Sequence, residues 1–378
     1  MQDYKVHKVR NFKNFKNFQL YKLIVDYKQY LDQLLLATAE NGASDLHISP
    51  GHYPSIRVDG HLIQIAGTQI LDPETTNGIV LELVGSEIRD RFLSEKEMDF
   101  SYAYAGKYRY RVNAYHTRGG MATSLRLIPN EIRTIEELNL PSIVKIFSRL
   151  SQGFVLVVGP NGHGKSTTLA SLVNLINQER SEKIVTIEDP VEYLFKPNKS
   201  IIDQREIYQD TFSFQKAIRS TFRQNANVIL VGEMRDYETM SAAVTAAETG
   251  HLVLASLHTN SASQTMERIV DSFPPNQQAQ VRGQLANTIS GVISQRLIPR
   301  IRGGLIQAVE VMIATTAVRT LIRDNRPSQL DLVIETSQDI GMIPLNRSLA
   351  DLVIKKEISK ERAEFYSQNP IELRNQFK

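Results

Sequence analysis

FVLVVGPNGHGKSTT, residues 154–168, decides the fold of this chain. Phe154 to Val158 is an apolar run of strand length, the glycines after it form a turn, and helix formers follow Lys165. Gly159 to Ser166 satisfies G-x-x-x-x-G-K-[ST] in the strand–loop–helix setting that pattern needs. The spacing has a chemical purpose. Gly159, Pro160, Asn161, Gly162, His163 and Gly164 make a loop whose main-chain N–H groups close around phosphate oxygens, and the helix N-terminus adds its positive end. Lys165 reaches the β- and γ-phosphates, Ser166 ligates Mg²⁺, and Thr167 completes the set. These residues predict a site for ATP and Mg²⁺.

Around the loop, strands alternate with helices: KIVTIED, FSFQKAIRSTFRQ, NVILVGE, MSAAVTAAETG and HLVLASLH. That order predicts an α/β fold with a parallel sheet flanked by helices. Hydrolysis needs acidic groups at the strand ends beside the phosphates. Glu188, Asp189 and Glu192 follow the apolar run 184–187, with Pro190 stopping the strand. Glu233 follows the run 228–231, and Gly232 stands where an Asp often precedes that glutamate. Mg²⁺ is therefore expected to rest on Ser166, the phosphates and water, with Glu188 and Glu233 acting through water. Glu233 or Glu188 is then free to orient the attacking water. His251 precedes an apolar strand and His258 follows it. Either alone reads as structural; together with the loop both become candidates for sensing a γ-phosphate at the sheet edge.

The rest of the 378-residue chain is organised around this core. Residues 1–43 read as a basic arm and a helix, with Leu31, Leu34, Leu35 and Ala39 at helical spacing and Gly42 placed to end it. The arm contains the quasi-repeat NFKNFKNF, read as a contact for anionic lipid or a partner, or more simply as a solvated tail. Residues 44–128 are strand-rich, with a turn at Asp59-Gly60 and a strand with one polar face around Tyr108 to Val112. Residues 129–142, bracketed by Pro129 and Pro141, read as a linker; 143–325 hold the phosphate-loop core, and 326–378 turn helical again. A charged fraction of 22% with a net charge of only +3 argues against a nucleic-acid binder. No apolar run approaches the ~20 residues of a membrane span, and the first ten residues lack a signal-peptide core, so a cytoplasmic location is expected. The chain has no cysteine, which excludes disulfides, thiolate zinc sites and a cysteine nucleophile.

The motifs together resemble the secretion-type ATPases, most closely the retraction motors of type IV pili. They run in order: SDLHISPGHYPSIRVDG at 44–60, the phosphate loop, IEDPVE at 187–192, VILVGEMRD at 228–236, TAAETGHLVLASLHTNSA at 245–262 and ISQRLIPR at 293–300. AVRTLIRDN at 317–325 is similar to a C-terminal motif associated with retraction. The resemblance implies a PAS-like N-terminal domain, a RecA-like ATPase core and a homohexameric ring. ATP would lie beneath a neighbour's N-terminal domain, with Arg109, Arg111 and Arg126 aligned to reach the phosphates and Arg118 as a further candidate. The bland reading of Arg109 and Arg111 is a solvated strand face. The implied partner is an inner-membrane pilus platform protein, so membrane association is peripheral and through the pilus machine.

Two departures from the family pattern stand out. Asn161 and His163 replace the usual Thr and Ser, at positions expected to supply no required contact. Gln224, Asn225, Ala226 and Asn227 replace a usually acidic and proline-bearing stretch, a change expected to bear on the rate of hydrolysis. Alternatives are a pilus-assembly or type II secretion motor, often longer and carrying a four-cysteine zinc insert, a RecA-like nucleic-acid motor, and a non-hydrolysing nucleotide-binding regulator.

Overall fold

The computed structural model describes residues 26–58, 60–128 and 131–377. NFKNFKNF, Asp59 of the expected turn and Pro129 of the expected linker lie outside the described residues. The chain divides into two compact units, Met1–Asn130 and Glu131–Lys378.

The first unit opens with α1 (Tyr27–Glu40), where the Asp26 side chain accepts from the Gln29 N–H at 2.9 Å and caps the helix. Then come β1 (Asp45–Ile48), β2 (Ser55–Val58), β3 (His61–Gln64), α2 (Pro73–Val84), α3 (Arg89–Glu95), β4 (Glu97–Tyr104), β5 (Tyr108–Thr117) and β6 (Gly120–Ile128). The strands form one antiparallel sheet in the order β3-β2-β1-β6-β5-β4. Leu31, Leu34 and Leu35 of α1 are fully buried in the same core as Leu46, Ile79 and Leu125. The helix expected to belong with the arm is thus part of this unit's core. Alternation along β5 buries Tyr110, Val112 and Ala114 and turns Arg109, Arg111 and Asn113 to the other face. The Tyr110 hydroxyl, deep in the core, donates to the Leu35 carbonyl at 2.7 Å, so its burial leaves no unpaired donor.

In the second unit a 3₁₀ helix, Ser142–Arg149, leads into β7 (Gly153–Val158), α4 (Lys165–Glu179), β8 (Lys183–Glu188), β9 (Ile201–Glu206), α5 (Phe214–Thr221) and β10 (Val228–Val231). The chain continues through α6 (Tyr237–Glu248), β11 (Leu252–Leu257), α7 (Ala262–Asp271), α8 (Pro275–Thr288), β12 (Ile289–Pro299), β13 (Leu305–Ile313) and α9 (Thr316–Arg323). It closes with α10 (Leu330–Thr336), α11 (Leu345–Ile354), α12 (Lys360–Tyr366) and α13 (Pro370–Asn375). The sheet order is β13-β12-β7-β11-β10-β8-β9, parallel except for β13. Phe154 to Val158 are all fully buried, each worth roughly 1.5–3 kcal/mol relative to exposure. Ile135, Leu138 and Leu140 are also buried here, packed with β7, so the expected linker belongs largely to this unit's core. Leu330, Ile334 and Met342 join the core cluster of Phe154 and Leu156, so part of the C-terminal helical segment completes the sheet's cover.

Parallel strands send their C-terminal ends to one edge of a sheet, where open α/β folds bind ligands. Val158 pairs with Leu257, and Val231 with Ala255 and Ile187. The loops after β7, β8, β10 and β11 therefore emerge side by side.

Candidate active site

The loop after β7 is shaped by glycines. Gly159 has φ +149°, and a Cβ there would meet the Gln295 carbonyl oxygen at 2.5 Å, so only glycine admits β12 this close. Gly162 and Gly164 are left-handed, with φ +76° and +82°. Gly164 is the N-cap of α4, and no side chain caps that helix. The N–H groups of its first turn are thus left for a ligand, which is the donor set a phosphate needs.

Lys165 is the first residue of α4 and is buried. Its Nζ donates to the carbonyls of Gly159 (2.9 Å) and Pro160 (3.0 Å) and to His258 Nδ1 (3.1 Å). Burial pulls its pKa down to about 8, against the opposing charges of Glu233 and Glu192. A phosphate at the loop would supply a full countercharge.

His258 lies just past β11 and uses both ring nitrogens. Nδ1 accepts from Lys165, and Nε2 lies 2.8 Å from Glu233 Oε1. That pairing places the proton of a neutral ring on Nε2. Burial, then the Lys165 charge, hold His258 below its ordinary pKa in spite of Glu233. Glu233 sits two residues past β10. Burial alone would raise its pKa, but Arg235 Nη2, 2.9 Å from Oε2, together with His258 and Lys165, holds it below the usual carboxylate value. Arg235 also lies 4.0 Å from Asp189 Oδ2. A continuous polar line, Lys165–His258–Glu233–Arg235–Asp189, crosses the edge of the sheet.

Residues 26–329 match the family of type II/IV secretion system proteins. The chain belongs to this family. A Pseudomonas aeruginosa family member named type IV pilus retraction ATPase PilT is 43% identical over 333 residues, covering 88% of this chain and 96% of its own. A Neisseria gonorrhoeae twitching motility protein is 43% identical over 317 residues, covering 84% of each chain. The crystal structure of the pilus retraction motor PilT with bound ADP superposes with a TM-score of 0.84 at 41% identity, covering 91% of this chain and 98% of that one. The observed fold class is the expected one, α/β, with a smaller α+β domain ahead of a phosphate-loop ATPase core.

Within this secretion-family core the predicted residues separate. Lys165, His258, Glu233 and Asp189 meet as described. Ser166 is exposed on the first turn of α4, and the Thr167 hydroxyl pairs with Tyr193 Oη at 2.9 Å. Glu192 is close enough for its charge to raise Lys165. Glu188 turns elsewhere: its Oε1 accepts from Thr186 Oγ1 (2.6 Å) and Gln204 Nε2 (3.4 Å), and burial pushes its pKa up to about 7. Of the two carboxylates expected to orient water, Glu233 is the one held ionised at neutral pH.

Three expectations need correction. His251 does not join the phosphate loop, because it precedes β11 and so lies at the opposite edge, six residues or about 20 Å of strand away. There its ring Nδ1 bonds the Ala246 carbonyl at 3.0 Å and packs against Phe222. Gln224, Asn225, Ala226 and Asn227 likewise precede β10, at the strand end away from Glu233. Asn227 Oδ1 accepts from the Lys183 N–H at 2.8 Å, and the Asn227 N–H donates to the Lys183 carbonyl at 2.8 Å, so the stretch fixes strand register. His163 is more than a spacer: Nδ1 accepts from the Leu297 N–H at 3.0 Å, which ties the loop to β12.

Arg109, Arg111 and Arg126 lie on the polar face of the first unit's sheet, and Arg118 is exposed at the β5–β6 turn. Register sets Arg57 opposite Asp45, Asp45 opposite Arg126 and Arg126 opposite Arg111. Arg126 Nε bonds Asp45 Oδ1 at 2.9 Å, and Arg109 bonds Ser101 Oγ. Arg57 was not singled out, because its membership of this row depends on strand pairing. Arg235, Tyr193 and Gln295 were missed too, although each lies within or beside a recognised motif.

Proposed function

We propose that this chain is the ATP-hydrolysing motor of type IV pilus retraction. The hydrolytic part is carried by one observation: His258 bonds Lys165 and Glu233 at once, beside an uncapped, glycine-shaped helix N-terminus. The retraction part is supported by likeness to the Pseudomonas aeruginosa PilT along 96% of that protein's length.

The loop amides and Lys165 hold the β- and γ-phosphates of ATP. Mg²⁺, with Ser166 as its one protein ligand, would offset phosphate charge when bound. Glu233, ionised and held by its two partners, orients the attacking water through a remaining lone pair and takes up its proton. His258 reports the state of the phosphate end to Glu233 through its two ring nitrogens. In a homohexamer, Arg109, Arg111 and Arg126 of a neighbouring subunit supply further cations to the phosphates. No helix among the described residues is long and apolar enough to cross a membrane, and the motor works at the cytoplasmic face of the inner membrane against a platform protein.

Steady-state ATPase assays with Mg²⁺ test the hydrolytic reading. Turnover is expected in the native chain and lost in Lys165→Ala, where the phosphates lose their principal cation. Full activity in that variant would overturn the site, and no turnover in the native chain would leave a nucleotide-binding regulator instead.

A further inference from the structure

β12 outruns its parallel neighbour. Pairing between β7 and β12 ends at Val158 opposite Ser294, whereas β12 continues to Pro299. Beyond Ser294 the main-chain groups on that edge have no strand to bond, and each needs another partner. His163 provides it: its Nδ1 accepts from the Leu297 N–H at 3.0 Å. Gln295, fully buried between them, donates from Nε2 to the His163 carbonyl at 2.6 Å and accepts at Oε1 from Thr168 Oγ1 at 3.0 Å. The C-terminal end of the phosphate loop and the first turn of α4 are thereby both fastened to β12.

The same imidazole faces the C-terminal helices. Its ring meets the edge of Tyr366, the last residue of α12, with centroids 6.4 Å apart. Two residues further on, Gln368 Nε2 donates to the Asn260 carbonyl at 2.6 Å, in the loop that begins at His258. One short stretch, 366–368, therefore touches both the phosphate loop and the histidine loop. Burial first, then the charges of Arg296 and Lys165, lower the His163 pKa, which favours the neutral ring that this acceptor role requires.

We propose that His163 is a positioning residue that presets the phosphate loop on β12 and couples it to the C-terminal stretch 366–368. Nucleotide affinity then responds to where α12 sits. The inference rests on reading the loop as the nucleotide site.

Calorimetric titration of the full chain with ADP tests it, using His163→Phe, His163→Asn, Tyr366→Leu and the Phe/Leu double variant, with each fold checked by circular dichroism. Phenylalanine keeps the ring but removes the acceptor, and ADP binding is expected to weaken about ten-fold, the scale of one lost bond to a sheltered N–H. Asparagine returns an acceptor near the Nδ1 position and should recover affinity to within about three-fold. Tyr366→Leu should weaken binding as well, and the double variant should be no weaker than His163→Phe alone, because Tyr366 acts by holding Nδ1 on the Leu297 N–H, a bond that phenylalanine has already removed. If His163→Phe does not fold, His163→Ser, too short to reach Leu297, replaces it. Native affinity in His163→Phe, no recovery in His163→Asn, or losses that multiply in the double variant would overturn the proposal. Failure of the native chain to bind ADP would instead sink the reading of the loop as a nucleotide site.

Discussion

His258 Nε2 lies 2.8 Å from Glu233 Oε1. The other ring nitrogen receives Lys165 and the other carboxylate oxygen meets Arg235, so Glu233 has both oxygens engaged. Each oxygen keeps a further lone pair with which it can accept from a water molecule. The geometry thus describes a carboxylate kept charged and held in place.

Glu233→Gln should separate binding from chemistry. The amide preserves shape and still meets Arg235 or His258 through its oxygen, but it cannot accept a proton. ATP turnover should fall on the order of 100-fold or more, while ADP affinity measured by calorimetry changes little. Equal losses of both would mean that Glu233 serves binding.

Arg235→Gln should move the acid limb of the kcat–pH profile upward. Arg235 is the foremost influence offsetting the effect of burial on Glu233, so its removal raises the carboxylate pKa. The ionised form is then lost at a higher pH as the solution is acidified. A limb that stays in place would show that Arg235 does not tune the group that limits the rate.

Lys165 links nucleotide binding to proton uptake. Its pKa of about 8, against 10.5 ordinarily, leaves it partly neutral in mildly alkaline solution, and a phosphate countercharge drives it back to the ammonium form. ADP binding at pH 8.5 should therefore take up a fraction of a proton, seen as a dependence of the calorimetric enthalpy on the buffer's ionisation heat. At pH 7 Lys165 is mostly charged already, and its contribution to that dependence should be much smaller.

Much of this site was legible because it is local. The phosphate loop is one contiguous stretch between a strand and a helix, and Glu233 is flagged by the apolar run it follows. A parallel strand brings only the residue after it to the ligand edge, which is His258 and not His251. The same reasoning removes Gln224 to Asn227 from the site. Arg57 in the arginine row, and the bond from His163 to Leu297, depend on strand register and on β12 outrunning β7. No local pattern carries either fact. For the same reason the apolar spacing of α1 marked a helix without telling which core it would enter.

Glu188 makes a prediction about stability. Its pKa, pushed up to about 7 by burial from an ordinary 4.5, means that the folded state holds a proton the unfolded chain releases. Relative stability is greatest below the ordinary value and falls as pH rises from 4.5 through about 7. Glu188→Gln removes that loss, raising stability at pH 8 by up to ~3 kcal/mol and changing little at pH 4. Thermal melts at the two pH values would show it; a gain of equal size at both would point to packing instead of charge.

The central claim is that ATP hydrolysis at Glu233 powers pilus retraction. Its most direct test is a count of surface pili by electron microscopy in cells lacking the protein and supplied with either the native chain or Glu233→Gln. The native chain should restore normal pilus number, whereas the variant should leave the cells hyperpiliated. Bald cells with the variant would contradict retraction and mark an assembly motor.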